Sequence, residues 1–118
     1  MNVNKFRVIT IFYCLLILGL SSISTQSTLI AKWDKVIHFT EYAILGVLLQ
    51  GSVEQRGIKV VLYIMLVGSL FAGVDELWQS MIPKRIPSFY DWIADTLGLL
   101  FGLSVSTFVT KKWKILKG

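Results

Sequence analysis

Thiol chemistry has almost no place in this sequence. The one cysteine, Cys14, stands inside an apolar run, which excludes an intramolecular disulfide and any metal site built on several thiolates. Charge is scarce too: 16% of the residues are charged and 54% are hydrophobic, an apolar excess over the usual soluble domain. No glycine-rich phosphate loop is present, and neither Ser80 nor Ser88 has a base nearby in sequence to activate it as a nucleophile. Internal repeats, low-complexity segments and linkers are absent, so the 118 residues are expected to form one domain, 1–118. What remains is aliphatic and aromatic, and the expected class is an integral membrane protein.

The formal charge of +5 does not argue for nucleic acid, because the 12 Lys and Arg residues sit at the ends of apolar runs and form no stripe or patch. They read as topology signals, and no nucleic-acid partner is expected. Four apolar runs occupy residues 8–23, 36–52, 60–81 and 89–109. A spanning helix takes about 20 apolar residues, with about 17 as the lower limit. The first run is marginal by that measure, the last comfortable, and the middle two reach spanning length only by including polar residues at one end. The expected fold is an all-α membrane protein of four transmembrane helices. Lys5 and Arg7 before the first run and "SSISTQ" after it also suit a signal peptide; the absence of an A-x-A pattern favours a retained helix.

With a cytoplasmic N-terminus, the inside segments hold Lys5, Arg7, Arg56, Lys59, Lys111, Lys112, Lys114 and Lys117, and the outside segments hold Lys32, Lys35, Lys84 and Arg85. That asymmetry favours both termini inside. The start of the second helix, the end of the third and the start of the fourth then share the outer face. Pro83 and Pro87 make "IPKRIPS" a tight outer loop. Ser88 suits the cap of the fourth helix, and Asp91 the positive end of its dipole.

Polar residues concentrate at that face. A helix turns about 100° per residue, which places Asp34, His38 and Glu41 within roughly 60° of one another, with Tyr42 nearby. Asp75 and Gln79 share a face of the third helix, and Asp91 and Asp95 one of the fourth. Charged groups at membrane depth turn toward the bundle interior, so the three stripes are expected to line one outward-facing polar pocket. Glu76, about 100° round from Asp75, is expected to pair with a cation at the rim. Gly98 and Gly102 continue the stripe of Asp91 and Asp95, a spacing that serves packing within the monomer or an oligomer contact; Gly68 and Gly73 offer the same on the third helix.

Asp34, one turn before His38, could fix the imidazole in one tautomer for acid–base work or metal ligation; the alternative is an interfacial Asp–His pair that merely ends the helix. Several carboxylates and an imidazole would suit a divalent ion, but a lone histidine gives no paired-ligand spacing, so metal and cofactor stay unassigned. Arg85, beside Lys84, suits an anionic head group or phosphate, or equally an ion pair with Asp75 or Asp91.

"DKVIHFTEYAILGVLL" and "DELWQSMIPKRIPSFYDWIADTLGLLFG" resemble the VanZ-like family of small bacterial membrane proteins, whose members carry Asp-Lys-x-x-His-x-x-x-Tyr, Asp-Glu-x-x-Gln and Arg-x-x-Ser-x-x-Asp segments ahead of a Gly-rich last helix. The motifs single out Asp34, Lys35, His38, Tyr42, Asp75, Glu76, Gln79, Arg85, Ser88, Asp91 and Gly98. Asp95 departs from the pattern, standing where the family usually has Asn. The resemblance implies a multi-pass protein of the bacterial cytoplasmic membrane, linked to the cell envelope and to resistance to the glycopeptide teicoplanin.

Three functions fit these residues. In the first, the protein binds or modifies a lipid-linked envelope precursor or other anionic head-group ligand. His38 acts there as acid or base with Asp34, Asp75 and Asp91, while Arg85, Glu41, Tyr42, Glu76, Gln79, Ser88 and Asp95 hold the ligand. In the second, the polar cluster is a non-catalytic scaffold. In the third, the chain is a small proton-linked transporter.

Overall fold

The computed structural model describes residues 2–21, 33–81 and 89–117. They form four helices, α1 (Val3–Ser21), α2 (Asp34–Gly51), α3 (Ile58–Ser80) and α4 (Phe89–Lys117), with no strand among the described residues. Three helices carry a stretch long and apolar enough to cross a membrane: Val3–Leu20, Ile58–Ser80 and Phe89–Lys112. The second falls outside that class, because Asp34, Lys35, His38 and Glu41 crowd the N-terminal half of its 18 residues. The fourth continues past residue 109 to Lys117, since nothing in "KKWKILK" breaks a helix.

The bundle is apolar outside and polar inside. Large apolar side chains such as Phe12, Leu62, Leu70 and Phe108 point outward, whereas His38, Gln50, Asp75, Gln79, Asp91 and Asp95 are buried. A soluble bundle would reverse this order, and a lipid environment explains it, because only groups with internal partners gain from leaving water. The buried stripe of α2 runs through His38, Tyr42, Leu45 and Gly46, and that of α4 through Asp91, Asp95, Gly98, Leu99, Gly102 and Leu103. Tyr42 and Leu99 meet Ile17 of α1 and Ala72 of α3 in one apolar core.

α2 and α4 share the most extensive helix contact, and glycine makes it possible. A Cβ at Gly98 would collide with the Phe39 carbonyl and one at Gly102 with the Ala43 carbonyl, while one at Gly46 would stand 2.7 Å from the Leu99 carbonyl oxygen. The two backbones therefore approach to a distance that no other residue allows. Both glycines of the Gly-x-x-x-Gly pair face a helix of the same chain. On α3, Gly68 sits against the Leu99 side chain, while Gly73 has only an ordinary contact with Trp92.

Two polar clasps fix the remaining helices. Trp92 Nε1 donates to the Ser69 carbonyl at 3.0 Å, tying α4 to α3. At the end of α2, Arg7 Nε donates to the Ser52 carbonyl at 2.9 Å, and Thr10 and Ser52 hydroxyls lie 2.9 Å apart. A cation on the last carbonyls suits the negative end of the α2 dipole. The expected proline turn, with Lys84 and the Ser88 cap, lies outside the described residues.

Candidate functional site

The polar residues gather where the N-terminal ends of α2 and α4 meet the C-terminal end of α3. Antiparallel connection brings these three ends to one level, and the stripe on each helix turns its acids inward. Asp34 and Asp91 occupy first turns, where the helix dipole favours a carboxylate.

His38 is the centre. Its Nδ1 lies 2.8 Å from Asp95 Oδ1, a buried hydrogen bond between α2 and α4. On the other side of the ring, Nε2 is 3.6 Å from Asp34 Oδ1 and 3.9 Å from Asp91 Oδ2, both beyond hydrogen-bond range. The hydrogen-bond partner of the imidazole is Asp95, 57 positions away, while Asp34 one turn back stays within ion-pair distance of the other nitrogen. Helical pitch puts Asp34 on the correct face, beside Nε2, and the packing of α4 on α2 adds Asp95 at Nδ1.

Asp91 forms an ion pair with Lys35 through its other oxygen. Lys35 belongs to the family motif, yet no spacing rule names its partner, because the pair joins two helices 56 positions apart. Tyr42, wholly buried, donates its hydroxyl to Asp75 Oδ2 at 3.3 Å. Asp75 and Asp95 have no solvent exposure at all, and Gln79 is buried beside them on the α3 stripe.

Glu76 differs from its expected place at the rim. It is buried, and its carboxylate joins His38 and Asp95 in a group whose donor atoms lie within 4.8 Å of one another. A second such group is formed by Asp34, His38 and Asp91. The packed face of α3 is wide enough to take two adjacent residues, Asp75 and Glu76, which a single-residue stripe does not anticipate. Glu41 is half-buried and stands apart from both groups; its backbone carbonyl accepts a hydrogen bond from Tyr13 at 2.8 Å. Arg85 and Ser88 lie outside the described residues.

A cleft of about 400 Å³ opens at the opposite end of the bundle, lined by Gln50, Arg56, Ile58, Val61, Thr107 and Lys111 among others. Its lining brings Arg56 and Lys111 but no carboxylate or imidazole, whereas the acids and the imidazole gather at the His38 end. There the arrangement offers an imidazole with one nitrogen engaged by Asp95, the other facing two carboxylates, and an ammonium alongside. Such a set can move a proton, coordinate a cation or hold a charged ligand.

Among curated proteins and among solved structures, nothing matches this chain. The family model described as VanZ/LLP1 matches residues 2–110, nearly the whole length, and takes in every element of the cluster. The chain belongs to the VanZ/LLP1 family.

Proposed function

We propose that the protein is a multi-pass component of the bacterial cytoplasmic membrane that binds or modifies a lipid-linked or anionic head-group ligand of the cell envelope, and so lowers susceptibility to teicoplanin. In this reading all four helices lie in the bilayer, α2 included, with both termini cytoplasmic and the His38 cluster at the outer face. α2 reaches membrane depth because its polar side chains turn toward α4 and away from lipid. His38 serves as the acid or base, Asp95 holds its ring, and Asp34, Asp75 and Asp91 complete the site. Lys35, together with Arg85, supplies positive charge for the ligand.

The observation that carries this reading is the buried His38–Asp95 hydrogen bond at 2.8 Å, which pins an imidazole among acids at one end of an apolar bundle. Ionisable groups at membrane depth are costly and mark functional sites by default. The enclosure of the same cluster between three helices also favours a second reading, in which it is a non-catalytic network that fixes helix assembly.

The test is teicoplanin susceptibility of a sensitive bacterial host carrying the wild-type protein or His38→Ala, with membrane abundance matched and vancomycin as comparator. Selective protection that disappears with His38→Ala supports the ligand-handling reading. Protection retained by His38→Ala, or none from the wild type, overturns it. A His38→Ala protein that fails to accumulate at all favours the structural network.

A further inference from the structure

We propose that Asp34, His38 and Asp91 bind a divalent metal ion of the zinc class between α2 and α4. The ion would take His38 Nε2 and one oxygen from each carboxylate. Asp95 would fix the ring from behind.

Three observations converge on this site. First, His38 Nε2 has no hydrogen-bond partner among the described residues although the side chain is only 5% exposed, and it points at the two carboxylates. Nε2 makes only long ion-pair contacts with Asp34 and Asp91, whereas an ion between them would engage all three donors directly. Second, the separations of 3.6 and 3.9 Å are too long for hydrogen bonds but suit a shared ion, since donors each about 2.0–2.2 Å from one metal stand roughly 3–4 Å apart. Third, Nδ1 is held by Asp95 Oδ1 at 2.8 Å, the carboxylate–histidine arrangement that leaves Nε2 as the free donor and orients it.

Charge points the same way. Asp34, Asp91 and Asp95 surround one imidazole, and Lys35 is the cation that the described residues pair with them. Carboxylates this close in a poorly solvated site repel unless a cation or protons intervene. One imidazole and two carboxylates form a mixed nitrogen and oxygen set, which suits zinc and neighbouring first-row ions better than magnesium or calcium. Three protein donors leave a position open for water or an anionic oxygen. With the ion bound both nitrogens of His38 are engaged, so the ring is then a ligand and not the acid or base. Only the open position rests on the proposed handling of an anionic ligand, whereas binding of the ion does not.

The experiment uses the full chain purified in detergent, stripped with a chelator and re-equilibrated with Zn²⁺ against a chromophoric competitor, with bound metal read by mass spectrometry. The wild type is expected to retain about one equivalent per chain. Asp34→Asn and Asp91→Asn are expected to weaken binding at least about tenfold, and Asp95→Ala by about 10–100-fold, as loss of an orienting partner does. Glu54→Gln, on the exposed connection between α2 and α3, should bind as the wild type does. Retention of under about a tenth of an equivalent by the wild type overturns the proposal, as does undiminished binding in Asp34→Asn and Asp91→Asn. Should those variants fail to fold, Co²⁺ substitution of the wild type decides: X-ray absorption showing one imidazole among oxygen donors supports the site, and a spectrum without imidazole overturns it. Because the readout is metal and not antibiotic susceptibility, failure of the metal site and failure of the envelope reading are separable.

Discussion

His38 on α2 and Asp95 on α4 are joined by a buried hydrogen bond of 2.8 Å. The contact exists because α2 and α4 pack backbone to backbone, with Gly98 and Gly102 under Phe39 and Ala43. The site and the glycine seam are one device: the seam sets the interhelical distance that the bond requires.

Asp95 should therefore tolerate an amide better than truncation. Asp95→Ala strips the buried imidazole of its partner and is expected to cost about 3–5 kcal/mol, as breaking a buried pair does. Asp95→Asn keeps an oxygen that accepts from Nδ1 and removes a buried charge, so its cost should be smaller by at least about 1 kcal/mol. Thermal unfolding of the purified variants in one detergent measures both, and equal losses would refute the role assigned to this oxygen.

The glycine seam predicts a contrast between positions that look alike in sequence. Gly102→Ala places a methyl against the Ala43 carbonyl, and the backbone cannot yield as a flexible side chain does. Overpacking of this kind costs about 1–3 kcal/mol or more. Gly19→Ala meets nothing within 4 Å and should stabilise α1 by up to about 1 kcal/mol through helix propensity. Opposite shifts in melting temperature are expected, and a neutral Gly102→Ala would show that the helices do not approach so closely.

The clasp between α1 and α2 is open to direct measurement. Thr10 and Ser52 hydroxyls are 2.9 Å apart, so Thr10→Cys with Ser52→Cys should form an intramolecular disulfide in the purified protein on mild oxidation. The natural thiol is removed for this purpose by Cys14→Ala. Faster migration on a non-reducing gel, reversed by a reductant, reports the crosslink. Its absence under conditions that oxidise free thiols fully would contradict the docking of α1 on the end of α2.

Much of the site was legible in the sequence because helical pitch is a local property. Asp91 and Asp95 fall on the same face as Gly98 and Gly102 whatever surrounds them, and the structure buries that face. His38 and Tyr42 share a buried stripe for the same reason. Partner choice was not legible, since it depends on the distance between helices. Pitch alone places Asp34 beside His38, and the close approach of α2 to α4 adds Asp95 at the other nitrogen. The pairing of Lys35 with Asp91 and the inward position of Glu76 are likewise set by neighbouring helices.

The amino-acid order by itself determined that this chain forms apolar helices, that their acids cluster at three helix ends, and that the motifs are those of its family, because hydropathy, periodicity and motif spacing are read along one dimension. Only the tertiary structure decided which nitrogen of His38 meets which carboxylate. The approach of Asp34 to Nε2 lies within α2, whereas the 2.8 Å hydrogen bond of Asp95 to Nδ1 depends on the glycine packing that brings together helices far apart in sequence.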